Sequence, residues 1–279
     1  LLKTGLYGIF RFCFPLFPSA TVRAAPVLAW LGAVGIIYGA LTAFAQKDMK
    51  RLVAYASISH MGFVLVGIFA LQDEAVRGAM LQIINHGIST GGLFLCVGMI
   101  YERRHTRLMS EFGGLANNLR RYAALTVIIA LSSLGLPGLN GFVGEILIIF
   151  GVFRAKQVIW AVFAVTGVVL SAVYLLTMIQ KTFYGPLDKP ANQQLHDLCL
   201  REILTILPLV CMAFWIGFYP KPFLRVLERN ATELIAIADK VKSGTKERGA
   251  IIVRAPAKEP NDSLAAQSAP FLPTAGFLP

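Results

Sequence analysis

The sequence predicts an all-α, polytopic bundle of transmembrane helices, and three observations carry that expectation. Of its 279 residues, 56% are hydrophobic and only 15% charged, against about a quarter charged in an ordinary soluble domain. The mean hydropathy is +0.65. The apolar residues gather into long stretches separated by short basic loops, and a hydrocarbon core needs about 20 mostly apolar residues per helical crossing. Together these exclude a soluble globular fold.

About seven spans follow in chain order. The first occupies residues 1–17 and closes at Pro15 and Pro18. It opens on Leu1 rather than Met, inside an apolar stretch with no polar lead-in, so the chain reads as the C-terminal portion of a longer protein. The second span is residues 26–45, the third 52–71 and the fourth 79–101. The fifth, 123–153, is too long for one straight crossing. The sixth is 158–181 and the seventh 202–219. From Asn230 the composition turns polar, which divides the chain into a transmembrane region, 1–229, and a tail, 230–279. Residues 231–241 have the makings of a short surface helix; beyond them no apolar periodicity supports a core, and disorder is expected.

The formal net charge is +11, yet the cations sit in loops and the tail rather than on one helix face, so nucleic acid is not the expected partner. In a membrane protein such a pattern sets topology. Lys47, Lys50, Arg51, Arg103, Arg104, Arg107, Arg120, Arg121, Lys181, Lys189 and Arg201 fall on one side; only Arg23, Arg77, Arg154 and Lys156 fall on the other. The richer side is expected to be cytoplasmic, which puts the C-terminal tail on the periplasmic side. Arg11 is placed to snorkel to the interface. Cys13, Cys96, Cys199 and Cys211 are scattered, with no C-x-x-C pair and no metal spacing, and are expected to be small apolar fillers. No phosphate-binding glycine loop, haem or iron–sulfur spacing or nucleophile elbow is present. No cofactor, metal or redox chemistry is therefore expected in this chain.

The candidate functional residues are the charges that fall inside the spans. Glu145 closes the run Ser132-Ser133-Leu134-Gly135-Leu136-Pro137-Gly138-Leu139-Asn140-Gly141-Phe142-Val143-Gly144-Glu145 in the middle of the fifth span. Pro137 lacks a backbone donor, and glycines such as Gly138 and Gly141 weaken continuity, so a broken helix is predicted there. Irregular backbone at membrane depth is tolerated only where protein or a hydrated cavity satisfies it, which is where transporters place their sites. Glu145 is then expected in the first turn of the second half-helix. Burial disfavours its charge while a cation and the helix dipole favour it, and a carboxyl under opposed pressures can exchange a proton. The plainer alternative is a helix-capping carboxylate.

Lys3 supplies a cation of the right type. Its distance from the end of its span, roughly 21 Å at about 1.5 Å per residue, places it near the bilayer centre. An ammonium there costs about 2.5–3.5 kcal/mol and needs a polar interior; alternatively Lys3 flanks the helix at the interface. His60 is central in the third span, near Ser57 and Ser59. His86 lies within Asn85-His86-Gly87-Ile88-Ser89-Thr90-Gly91-Gly92, where small and hydroxyl residues permit close packing. Each histidine alone reads as a hydrogen-bonded packing residue. Two at the depth of Lys3 and Glu145 read as a row of ionisable groups along the midplane, since histidine relays protons near neutral pH.

These residues also carry a resemblance. Leu1-Leu2-Lys3 leading to Tyr7-Gly8, Ala43-Phe44-Ala45-Gln46-Lys47-Asp48-Met49-Lys50-Arg51-Leu52-Val53-Ala54-Tyr55, Ser59-His60-Met61-Gly62-Phe63, His86-Gly87, Tyr101–Arg107 and Phe142-Val143-Gly144-Glu145 resemble, in order, the second half of the subunit M family of bacterial NADH-quinone oxidoreductase (respiratory complex I), counterpart of mitochondrial subunit 4. The resemblance implies an antiporter-like fold of about fourteen helices built from inverted repeats, of which this chain holds the eighth onward. It implies that Lys3 is the lysine connecting the two half-channels, that His60 and His86 are central-axis histidines, and that Glu145 is the terminal ionisable group on the second broken helix. It further implies the bacterial inner membrane, adjacent antiporter-like subunits and lipid as partners, and NADH, flavin, iron–sulfur clusters and quinone in other subunits. The family's first-half glutamate–lysine pair is not in this sequence, and the tail after Asn230 is longer than the family leads one to expect.

The leading expectation is a proton-translocating subunit driven by remote NADH-to-quinone electron transfer. A subunit of a multi-subunit cation/proton antiporter shares the Ser-His-Met-Gly-Phe stretch, but the Tyr101–Arg107 segment favours the respiratory reading. A non-conducting spacer subunit is the alternative of another class, and it would tolerate loss of the Glu145 charge.

Overall fold

The computed structural model describes residues 2–244, and among them the chain is helical, with one isolated bridge between Asp48 and Leu108. Helix α1 is Leu2–Gly8, prolonged by a π-helical stretch, Ile9–Cys13, and a last turn, Phe14–Leu16. Then come α2 (Pro18–Phe44), α3 (Met49–Phe69), α4 (Asp73–Arg104), α5 (Arg120–Leu134), α6 (Asn140–Arg154), α7 (Val158–Phe183), α8 (Leu200–Phe218) and α9 (Lys221–Lys242). Five of the described helices, α2, α3, α4, α7 and α8, are long and apolar enough to cross a membrane. The sequence leads one to expect about seven crossings. The stretches expected as the first and fifth crossings hold instead the short α1 and the 15-residue α5 and α6, the latter two each roughly 22 Å long at 1.5 Å per residue and shorter than the other five.

The α1–α2 junction differs from the expected one. Pro15 removes a donor and its ring crowds the preceding turn, which widens into the π-helical stretch. Pro18 then begins α2 at a position where its fixed φ suits a helix start. Pro26, expected to open this span, lies inside the helix instead. Thr21 ties the two helices by donating its hydroxyl to the carbonyls of Cys13 and Phe17, both at 2.9 Å.

Caps and charges fix the other ends. Asp48 caps α3, accepting from the backbone N–H of Lys50 (2.7 Å) and Arg51 (3.1 Å). Beside it, Met49 N–H donates to the Arg107 carbonyl and Met109 N–H to that of Lys47. At the α4 start Asp73 and Glu74 oppose the dipole; at its end His105 adopts φ 52° after Arg103 and Arg104. Arg103 grips Glu202 at the start of α8 with two bonds, 2.7 and 2.6 Å. Glu202 in turn accepts from the Cys199 N–H, so exposed Cys199 is a helix cap rather than the expected apolar filler. Arg104 donates to Asn192, while Asn118 donates to the carbonyls of Asn192, Gln193 and Leu195. The basic loops assigned to one side thus meet at one end of the bundle. At the other end Arg154 pairs with Glu74, and Arg77 with Asp73 and Glu228.

Glycines set the helix spacing. A Cβ on Gly32 would lie 2.9 Å from the Gly62 carbonyl, and one on Gly39 2.6 Å from the Ser59 nitrogen, so α2 and α3 pack backbone to backbone. Ser59 adds a hydroxyl bond of 2.8 Å to the Ile36 carbonyl. A Cβ on Gly78 would lie 2.8 Å from the Ile148 nitrogen and 3.0 Å from the Gly144 carbonyl, and Gly151 rests directly on Ala75. That draws α6 onto α4. Lipid offers no hydrophobic drive for helix association, so this close approach is what membrane helices use instead. Helix α9 runs through the compositional boundary at residue 230. It buries Ala231, Leu234 and Ala238 against the bundle at the end that carries Arg77. The tail expected from residue 230, with a short helix at 231–241 and disorder after it, is instead the second half of a helix that starts at Lys221 and ends at Lys242; the rest of that expectation, beyond residue 244, lies outside the described residues.

Two substitutions test this packing. Gly62→Val forces its side chain into the Gly32 carbonyl and Ile36; overpacking of this kind should destabilise by about 1–3 kcal/mol, read as a lower unfolding midpoint in detergent. Glu202→Ala removes both the Arg103 partner and the α8 cap and should cost about 1–3 kcal/mol. The double replacement Arg103→Met, Glu202→Met should recover part of that loss, because no unpaired charge remains.

Candidate functional site

The site is assembled where α4 crosses α3 and the α5–α6 break. Helix α5 ends with Gly135 at φ 82°, its N–H on the Leu131 and Ser132 carbonyls, while the Leu136 N–H reaches back to the Leu131 carbonyl at 3.1 Å. This is a Schellman-type cap. Leu136-Pro137-Gly138-Leu139 then forms a tight turn with Gly138 at φ 92°, closed by Leu139 N–H to Leu136 O at 3.0 Å; proline second and a positive-φ glycine third is the type II pattern. The break therefore spans residues 135–139. Gly141, expected to belong to it, lies inside α6, where its bare Cα lets the backbone come hard against the Ser132 carbonyl.

Glu145 is 3% exposed. It sits in the second turn of α6, whose first turn carries no acidic residue. The expected first-turn dipole contact is thus replaced by side chains, because α6 begins only at Asn140. Gln82 of α4 donates its Nε2 to Glu145 Oε1 at 3.1 Å. His60 Nδ1 of α3 stands 3.3 Å from the same oxygen. That is ion-pair distance, though the approach is not aligned as a hydrogen bond. The other carboxylate oxygen lies against Gly135.

His60 is 2% exposed and His86 3%. Their ring centroids are 5.6 Å apart, so the two imidazoles are neighbours. The Tyr174 hydroxyl of α7 is 3.5 Å from His60 Nε2. Neither ring nitrogen of His86 has a partner among the described residues. Beside it half-buried Lys3 rests on Gly87, where a Cβ would be 3.8 Å from its Cε and 3.9 Å from its Nζ. His60 and Lys3 both lie within electrostatic reach of His86.

The structure thus brings Lys3, His86, His60 and Glu145 into one sequence of neighbours drawn from α1, α4, α3 and α6. Every member can gain or lose a proton, and no described group of three or more His, Cys, Asp or Glu side chains could hold a metal. Sequence reasoning missed the neutral partners: Gln82, Asn85, Asn140, Ser132 and Tyr174. A signal for some of them was available. Gln82, Asn85, His86 and Ser89 fall at i, i+3, i+4 and i+7, one face of a helix, and all are buried. Ser57 and Ser59 do not join the site; they bond the carbonyls of Val53 and Ile36.

Comparison with known proteins places the chain among its relatives. The chain is similar to NADH-quinone oxidoreductase subunit M of Escherichia coli (strain K12), with 47% identity over 225 residues, 80% of this chain and 44% of the relative. It is also similar to the subunit M of Pseudomonas aeruginosa, at 45% identity over 81% of this chain and 44% of the relative. The chain spans about half the length of the curated relatives it matches. Among solved structures, a chain of respiratory complex I from Thermus thermophilus with bound NADH matches with a TM-score of 0.80 and 37% identity, over 84% of this chain and 49% of that one. A chain of the Mrp complex from Dietzia sp. DQ12-45-1b shares the fold at a TM-score of 0.77 and 20% identity, over 86% and 53% of the two chains. The transmembrane family described as NADH:quinone oxidoreductase/Mrp antiporter matches residues 1–171. With this match covering more than half of its length, the chain belongs to that family of multi-pass membrane proteins.

Proposed function

We propose that the full-length protein is a proton-translocating membrane subunit of an NADH-quinone oxidoreductase. The observation that carries this reading is the succession Lys3–His86–His60–Glu145, its last three members buried, ending on a carboxylate beside a broken helix. A spacer would have no need to bury three ionisable groups beside a half-buried lysine. Electrons pass from NADH to quinone in other subunits, which hold the flavin, iron–sulfur clusters and quinone site. The field change they generate shifts protons between Lys3 and Glu145, with the two histidines as carriers. Adjacent antiporter-like subunits and bilayer lipid are the partners.

The orientation follows from the loops. The end carrying Lys47, Arg103, Arg104 and Arg107 faces the cytoplasm of a bacterial cell, as the excess of cations there requires. The end where Arg77, Arg154 and α9 meet, and with it the C-terminal segment, faces the periplasm.

The test uses the native complex carrying Glu145→Gln in the full-length subunit, with proton uptake into vesicles followed while NADH reduces quinone. Pumping and coupled turnover should fall to a small fraction of wild type in a complex that still assembles. Undiminished NADH-driven pumping would make the row structural and bring the spacer reading forward.

A further inference from the structure

We propose that Gln82 is a positioning residue for Glu145, its amide locked as a hydrogen-bond donor to the carboxylate by a one-way chain of bonds that begins in the helix break. The inference rests on the proton-carrying role proposed for Glu145. An amide side chain can ordinarily present either its oxygen or its nitrogen, since the two ends are nearly the same size and shape. Here the surroundings decide. The Asn140 backbone carbonyl can only accept, so Asn85 must turn its Nδ2 toward it, at 2.7 Å. The second hydrogen of that nitrogen is directed to Gln82 Oε1, at 3.4 Å. With its oxygen so engaged, Gln82 can offer Glu145 only Nε2, at 3.1 Å.

Two further details fit this polarity. Asn85 Oδ1 is left buried without a protein partner among the described residues, which is tolerated because the flipped amide would set that oxygen against the Asn140 carbonyl. Asn140 is itself fixed: its Oδ1 accepts from the Ser132 hydroxyl and its Nδ2 donates to the Asn85 carbonyl. Gly144 makes the room, since a Cβ there would overlap Gln82 Oε1 and lie 3.1 Å from Asn85 Nδ2. The chain therefore runs from the first residue of α6, across α4 and back to α6 at Glu145. A fixed donor stabilises the ionised carboxylate more than the neutral carboxyl. The other groups facing Glu145 are His60 from α3, with His86 of α4 and Lys3 of α1 behind it, and Tyr174 from α7. Helix α5 brings the Gly135 backbone, and α8 brings the Gly217 backbone against Gly138.

The experiment is the pH profile of NADH-driven proton uptake by vesicles holding the assembled complex, with Gln82→Met in the full-length subunit. Methionine keeps the length and removes the donor. The profile should move to higher pH by about one unit, the size expected from a hydrogen bond to a charged group, since the carboxyl then releases its proton less readily. A second variant, Asn85→Ala, frees the Gln82 amide to turn and should move the profile the same way by less; it carries the test where Gln82→Met does not assemble. A profile that superimposes on wild type in an assembled complex overturns the proposal. The control is Glu145→Gln. Pumping that survives it removes the proton-carrier reading and this inference together, whereas pumping lost there with an unmoved Gln82→Met profile removes only the role of Gln82.

Discussion

Backbone polar groups at membrane depth must find partners within the protein, and the α5–α6 break is where that demand is hardest to meet. Ending one helix and starting another in the same plane frees carbonyls and amides that no lipid can satisfy. The chain answers with the Gly135 cap, the Pro137–Gly138 turn and the Asn85 side chain bonded to the Asn140 carbonyl. Asn85 is also three residues beyond Gln82 and directly before His86. Closing the break therefore sets the register of α4 against α6. Glu145 meets Gln82 and His60 because the break has been satisfied this way, and the site is in that sense a by-product of backbone hydrogen bonding.

The distances so fixed are held by contacts too close to vary. Glycines at 78, 144 and 151 let α4 and α6 touch along their backbones, and those at 32, 39 and 62 do the same for α2 and α3. Interiors packed at this density resist gradual deformation. Helix α1, by contrast, anchors on Leu6 and Phe14, while Gly5 and Gly8 meet nothing within 4 Å in this chain. The Glu145–His60 end of the row is thus tightly packed, and at the other end half-buried Lys3 lies beside Gly87.

The helical fold is plain in the sequence because apolar runs of membrane length suit hardly any structure but a spanning helix. Glu145 stands out for the same reason: a carboxylate beside Pro137 in such a run has no bland role that is cheap. Lys3, His60 and His86 are each ambiguous alone, and what groups them is the pairing of helices by glycine contacts, which no single span announces. Gln82 and Asn85 escape notice because neutral amides disturb hydropathy less than charges do, although their spacing with His86 marks a face. Tyr174 is hidden in an apolar helix, where an aromatic ring is an ordinary packing residue. The start of α2 is misjudged because proline both opens helices and interrupts them, and only packing tells Pro18 from Pro26. Gly141 is assigned to the break for a similar reason: glycine serves a turn and a close contact equally well.

Under the proposed function, the order of groups in the row has an electrostatic logic. Lys3 and Glu145 are its ends, and the two imidazoles between them are neutral when each keeps one proton. With both ends ionised the buried charges sum to zero. With a proton moved from Lys3 to Glu145 both ends are neutral and the sum is again zero. A low-dielectric interior penalises uncompensated charge far more than separated but balanced charge, so these two arrangements are the ones it tolerates. They differ only in where one proton resides. A modest field from a neighbouring charge can then decide between them, provided the carboxylate end is not already biased toward protonation by its own burial. A donor fixed on Glu145 Oε1 opposes that bias and brings the two arrangements closer in energy, which is the condition under which a remote event can drive the transfer.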